Sequence, residues 1–224
     1  MPDTARDRIL MRLYQAEGRA SPEPAAADPP AVAWNRSERI ERLIGLMRAM
    51  RTQVEVTTRE AWVERLKILL SGRGLKTLLY APETPTGREL ASGWPADESR
   101  LPALRTWEGP IEAFKEELFQ IDAAVTTTTG AIAETGAIVL WPDQAEPRLM
   151  SQVPPVHIAV LEADKIHATF CDLIRAENWP DRMPTNALLI SGPSKTADIE
   201  MTLAFGVHGP RELIVLIIDA PKGV

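Results

Sequence analysis

The order of apolar and polar positions divides the chain into elements before any chemistry is considered. Residues 4–17 predict a helix with Ile9, Leu10, Leu13 and Tyr14 on one face. Residues 20–34, rich in Pro and Ala, suit an extended linker. From Ser37, read as an N-cap, Ile40, Leu43, Ile44, Met47 and Met50 recur at helical spacing. Gln53–Val56 predicts a short strand. Thr58 then predicts the cap of a helix through Trp62, Leu66, Leu69 and Leu70 that stops at Gly72. Thr77–Tyr80 predicts a strand, residues 84–93 a short helix, and Leu104–Trp107 another strand.

In the second half, residues 121–141 are rich in β-formers and predict two strand segments around a sharp feature at Ala133-Glu134-Thr135-Gly136. Val156–Val160 predicts a strand and Ala163–Ala176 a helix, which makes His167 a surface helix residue. Leu188–Ile190 and Leu213–Ile218 are continuous apolar runs, the pattern of parallel strands buried on both faces. The segment between them reads as a helix, giving a βαβ crossover. The class this predicts is α/β: a mixed, largely parallel sheet flanked by helices. It divides into an N-terminal helical arm with its linker (1–34) and one domain (35–224). The arm would pack on this domain or on a neighbouring subunit, so a homo-oligomer joined through it is one expected arrangement.

Composition narrows the partners. The net charge of −6 and the absence of a basic block argue against nucleic acid. Cys171 is the sole cysteine, so the chain forms no internal disulfide and cannot ligate an iron–sulfur cluster or a structural zinc with cysteines. No apolar run reaches the ~20 residues of a membrane span, and the first residues lack the apolar core of a signal peptide. A cytoplasmic location is expected. No Gly-x-Gly-x-x-Gly turn, His-x-x-x-His pair or haem motif is present.

Three places carry candidate chemistry. The turn Ser191-Gly192-Pro193-Ser194 follows an apolar run and opens the expected helix, with Lys195 and Thr196 beyond it. Backbone N–H groups and a helix dipole there would favour an anion. A wheel of that helix puts Glu200 within an apolar arc and Asp198 opposite. Glu134, among small residues, would act as a base or nucleophile if burial raised its pKa, and Thr126–Thr129 would line the same region with hydroxyls. His208, in Gly-Val-His-Gly-Pro, is placed for acid–base work. His157 opens a strand. Each turn equally suits plain punctuation between buried elements.

Taken together, AETGAIVLW, PPVHIAVL, SGPSKTADIE and FGVHGPRELIVLII resemble the LUD-domain family, in that family's order and over roughly residues 120–218. The resemblance implies an α/β fold similar to the ribose-phosphate isomerase and CoA-transferase group. It also implies a part in oxidising L-lactate to pyruvate with two iron–sulfur partner proteins, the clusters residing on those partners and no cofactor in this chain. The family motif carries over onto Glu134, Thr135 and Gly136; onto Gly192, Pro193, Ser194, Thr196, Ala197, Asp198 and Glu200; onto His208, Gly209 and Pro210; and onto His157. Thr129 stands where relatives often carry an aspartate, which removes the second carboxylate of a two-acid mechanism. The expected ligand is a small carboxylate such as lactate or pyruvate. It would be held by Ser191, Gly192, Pro193, Ser194, Lys195, Thr196, Asp198, Glu200, Thr135, Gly136 and Gly209, with Glu134 and His208 catalytic and no metal. The alternatives are acyl or CoA transfer through Glu134 and a non-catalytic scaffold.

Overall fold

Val156–Leu161 and Leu213–Ile218 are apolar at every position but His157 because both of their faces are covered. They lie side by side at the centre of a parallel sheet. The computed structural model describes residues 4–16, 32–94, 100–107, 109, 111–197, 203–206 and 208–219. Its contacts divide the chain into two units, Met1–Val32 and Ala33–Val224. In the first, α1 spans Ala5–Ala16.

In the second unit, six strands pair in parallel: β1 (Gln53–Thr57), β2 (Thr77–Tyr80), β3 (Ala103–Thr106), β4 (Ala123–Thr127), β7 (Val156–Glu162) and β12 (Glu212–Ile218). Their spatial order is β1-β12-β7-β4-β2-β3. One face packs on α3 (Trp62–Leu70) and α4 (Pro85–Gly93), where Trp62, Leu66, Leu70 and Leu90 meet Val125, Ile158, Val160 and Leu216. The other face packs on α2 (Arg36–Ala49) through Leu43 and Met47. It also meets a second sheet of β5 (Gly130–Ile132), β6 (Ala137–Leu140), β8 (Ile166–His167) and β9 (Leu188–Ile190), in the order β8-β5-β6-β9. Each fully buried Leu or Ile of these layers stabilises by about 1.5–3 kcal/mol. Phe114 and Leu118 of α5 (Ile111–Leu118) close the β2–β4 end. No helix among the described residues is long and apolar enough to cross a membrane.

Several local expectations change. Asn35, not Ser37, caps α2. Its Oδ1 accepts from the Glu38 N–H at 3.1 Å, and the Glu38 carboxylate accepts from the Asn35 N–H at 2.7 Å. Thr58 caps nothing, since α3 begins at Trp62 behind Ala61. The expected helix 163–176 breaks into a 3-10 turn, β8 and α6 (Phe170–Ala176). Thr169 caps α6 with Asp172 in the reciprocal position, so His167 lies in a strand.

The largest correction concerns 188–218. β9 joins the second sheet, antiparallel to β6, while β12 joins the parallel one, so the two runs form no crossover. Nor is the segment between them the expected helix. β10 (Lys195–Ala197) and β11 (Leu203–Phe205) pair antiparallel, Thr196 opposite Ala204. Asp198 and Glu200, placed on that helix by the sequence, lie outside the described residues.

Candidate functional site

In an open α/β sheet the carboxyl ends of the strands, where the order reverses, form a crevice. Here the chain runs from β2 outward to β3 and returns to β4 on the other side of β2. A cleft of about 550 Å3 opens beyond β4 and β7, roofed by the start of α4 and by the segment Trp141–Arg148. Gly87 lets α4 come this close to β2, because a Cβ there would stand 1.8 Å from the Ala81 carbonyl oxygen.

The walls are polar. Thr126, Thr127, Thr128 and Thr129 leave the end of β4 along one side. Arg59 donates to Glu89 of α4 at 3.0 Å and to Glu162, the last residue of β7. Trp62 Nε1 also donates to Glu89, at 2.9 Å. Burial works against the charge on Arg59, but hydrogen bonds and attraction from the two glutamates outweigh it and hold its pKa above the ordinary arginine value. At the rim, Arg148, Lys165 and Arg182 make no ion pair with any described residue. Arg182 lies 6.0 Å from the Trp141 ring. The lining carries the cations Arg59, Arg148, Lys165 and Arg182 and the acids Glu89, Asp143, Glu146, Glu162 and Glu177, a near balance that does not suit a polyanion.

Glu146 is the least conventional group in the cleft. Its carboxylate turns back onto β4 and accepts from the Thr127 N–H at 2.9 and 3.1 Å and from the Thr127 hydroxyl at 2.6 Å. Burial raises its pKa, and nearby Asp143 adds to the rise, more than the Thr127 hydrogen bonds lower it. A carboxyl whose pKa is raised in a cleft marks a place to look for proton-transfer chemistry. Deeper in, Thr126 Oγ1 lies 2.8 Å from Nε2 of His157, which is 1% exposed and whose Nδ1 has no partner. Burial lowers the His157 pKa to about 4, so the ring is neutral at physiological pH.

The turn residues singled out from sequence lie elsewhere. Glu134 and Thr135 are exposed at the β5–β6 turn, so the burial on which a raised Glu134 pKa depended is not met. Gly136 closes that turn with φ +68° against Leu46 of α2. Ser194 does meet Gly206, Gly209 and Pro210. The Ser194 N–H donates to the Pro210 carbonyl at 2.8 Å, its own carbonyl accepts from the Gly206 N–H at 3.0 Å, and Gly209 packs on its Cβ. This cluster stands at the amino ends of β12 and β1, opposite the cleft. The Ser194 N–H is engaged and β10, not a helix, begins at Lys195, so the helix dipole expected to favour an anion at that turn is missing. Ser191 and His208 are exposed, and Gly192 packs against Met50.

The LUD domain sequence model matches residues 40–218. The chain belongs to the LUD-domain family. An uncharacterized protein of Neisseria meningitidis serogroup B is 37% identical, covering 96% of this chain and 94% of its own. Lactate utilization protein C 1 of Bacillus mycoides is 28% identical, covering 96% and 97%. The crystal structure of a DUF162 family protein from Deinococcus radiodurans matches with a TM-score of 0.57 at 22% identity, over 83% of this chain and 99% of that one, and shares its fold.

In this LUD domain the motif glycines and prolines explain turns and close approaches, whereas the cleft is built by residues that no motif marked. Arg59, Glu89, Glu162 and Glu146 are far apart in sequence, and only the Thr126–Thr129 tract signalled a polar surface in advance. Among the described residues no cluster of three His, Cys, Asp or Glu side chains is arranged to hold a metal.

Proposed function

We propose that this LUD domain is a component of a lactate-utilisation system that binds L-lactate or pyruvate and acts with iron–sulfur partner proteins. The observation that supports it is the make-up of the cleft at the ends of β4 and β7. Cations without acid partners among the described residues (Arg148, Lys165, Arg182) stand at the rim to attract a carboxylate. Threonine hydroxyls stand inside to donate to an oxygen of the ligand, and the Glu146 carboxylate to accept from its hydroxyl. The chain-length likeness to a lactate utilization protein C points to the same substrate.

Converting lactate to pyruvate releases two electrons and two protons. A chain with one cysteine has no thiolate set for a cluster, so the electrons go to partners that hold iron–sulfur clusters. This chain's share is to hold the hydroxy acid, exclude water and take a proton. The test is lactate oxidation with an artificial electron acceptor by this protein alone, by the iron–sulfur partners alone, and by all together. Activity in the full mixture only is expected; equal activity without this chain would overturn the reading.

A further inference from the structure

The parallel sheet ends with a ready carboxylate site, and the chain fills it with one of its own side chains. Thr127 is the last residue of β4, paired in register with Val160 of β7. Its N–H and its hydroxyl both point at one carboxylate, which receives them at 2.6–3.1 Å. That is the geometry by which a strand end holds a bound carboxylate, with charge-assisted hydrogen bonds from backbone and hydroxyl. The carboxylate is Glu146, nineteen positions along the chain. It is carried on a short segment between Pro142 and Pro147 that forms part of the cleft wall. Asp143 Oδ1 accepts from the Ala145 and Glu146 N–H groups at 2.8 Å each, so the segment holds its own shape.

We propose that Thr127 is the carboxylate anchor of the cleft and that Glu146 is its built-in occupant, displaced when a small carboxylate ligand arrives. This rests on the reading of the cleft as a carboxylate site and deepens it by naming the subsite. The exchange is balanced. One carboxylate leaves the Thr127 donors and another takes them, no covalent bond changes, and the released Glu146 carboxyl stays in the cleft beside the ligand. Displacement moves Glu146 off Thr127 at the moment the hydroxy acid is in place, so the group that could take a proton is freed only in the complex. Lys165, Arg148 and Arg182 at the rim offset the second negative charge. The arrangement also predicts that the free protein binds carboxylates weakly, because every ligand competes with a tethered one at high effective concentration.

The experiment compares formate, acetate and L-lactate binding to wild type, Glu146→Ala, Glu146→Gln and Thr127→Val, by calorimetry and by the ligand-induced rise in melting temperature. Glu146→Ala is expected to bind all three at least about tenfold tighter than wild type, and formate is expected to raise its melting temperature more than that of wild type. Glu146→Gln keeps an acceptor for Thr127 and should fall between the two, which guards against a folding defect in the alanine variant. Thr127→Val should bind none of them while melting as a folded protein. Wild type binding lactate with unchanged affinity in Glu146→Ala would overturn the occupant and leave the proposed function standing. Formate and acetate tightening in Glu146→Ala with no lactate binding in any form would keep the subsite and remove lactate as its ligand. No carboxylate bound by any form would overturn both.

Discussion

Nε2 of His157 lies 2.8 Å from Oγ1 of Thr126, so β7 and β4 are joined by a side-chain hydrogen bond beneath the floor of the cleft. His157 is fully enclosed, and burial lowers its pKa to about 4. A histidine whose folded pKa is depressed contributes full stability above its unfolded value near 6.5, and that contribution is lost as pH falls toward 4, where the unfolded chain holds a proton the fold refuses. Wild type should lose on the order of 3 kcal/mol more than a His157→Phe variant between pH 7.5 and pH 4, read by urea denaturation. Equal losses would show that the ring is not the titrating group.

Glu146 works in the opposite sense. Its folded pKa is raised, chiefly by burial, so the fold holds the proton more tightly than the unfolded chain does. Stability is favoured below the ordinary glutamate range and declines as pH rises through the raised value. Asp143 faces the same carboxyl and steepens the decline, while Thr127 resists it. Glu146→Gln, which never ionises, should therefore gain on wild type between pH 4 and pH 8. A thermal melt series across that interval measures the gap, which should widen upward and not downward.

Arg59 supplies the positive charge between Glu89 and Glu162. Arg59→Met leaves two carboxylates facing one another at the mouth of the cleft. All three side chains are more than a third exposed, so solvent screens the loss to about 1 kcal/mol, and salt should reduce it further. Arg59→Lys should not restore wild-type stability, since one ammonium cannot present the fork that reaches both partners. Urea midpoints at low and high salt test both statements.

The parallel core was legible because strands covered on both faces must be apolar at every position, as β7 and β12 nearly are. The same rule misled at Leu188–Ile190. Three residues of identical pattern serve equally well in an antiparallel sheet, and only pairing with β6 decides. Residues 195–197 and 203–205 show why short segments resist reading. Ala197, Leu203 and Ala204 belong to a convincing helical arc and fit paired antiparallel strands equally well. The cleft was legible only in its threonines. Glu146 sits between prolines in what looks like a plain loop, and its meaning comes from a contact with Thr127 that no local pattern encodes. Arg59 and Glu162 are 103 positions apart. Glu134 stood out because small residues surround it, and one of them, Gly136, accommodates Leu46 of α2.

That last point separates two neighbours in one motif. Gly136 adopts φ +68°, and a Cβ on it would stand 2.5 Å from Leu46 Cβ. Gly136→Ala should cost about 2 kcal/mol or more through strain and displacement of α2. Glu134→Gln, on an exposed turn, should stay within about 0.5 kcal/mol of wild type. Denaturant titration of both variants decides whether the motif is retained for its turn or for its carboxylate. A wild-type melt for Glu134→Gln together with lost lactate-dependent activity would return Glu134 to the chemistry.

Every buried apolar side chain described in the protein lies at or beyond Leu43, and in α1 Ile9, Leu13 and Tyr14 are 60%, 59% and 67% exposed. A chain beginning at Ala33 keeps Trp34, over whose ring the Arg42 guanidinium sits at 4.5 Å, and keeps the Asn35 cap of α2. Removing residues 1–32 takes away none of these buried residues and leaves the cap of α2 in place, and should change stability by no more than about 0.5 kcal/mol. An exposed apolar helix face gains free energy by being covered, so α1 is expected to act in association. Sedimentation and partner pull-down on the truncated chain separate the two cases. A native melt with lost assembly makes α1 the grip, and a collapsed melt would show that the arm belongs to the fold after all.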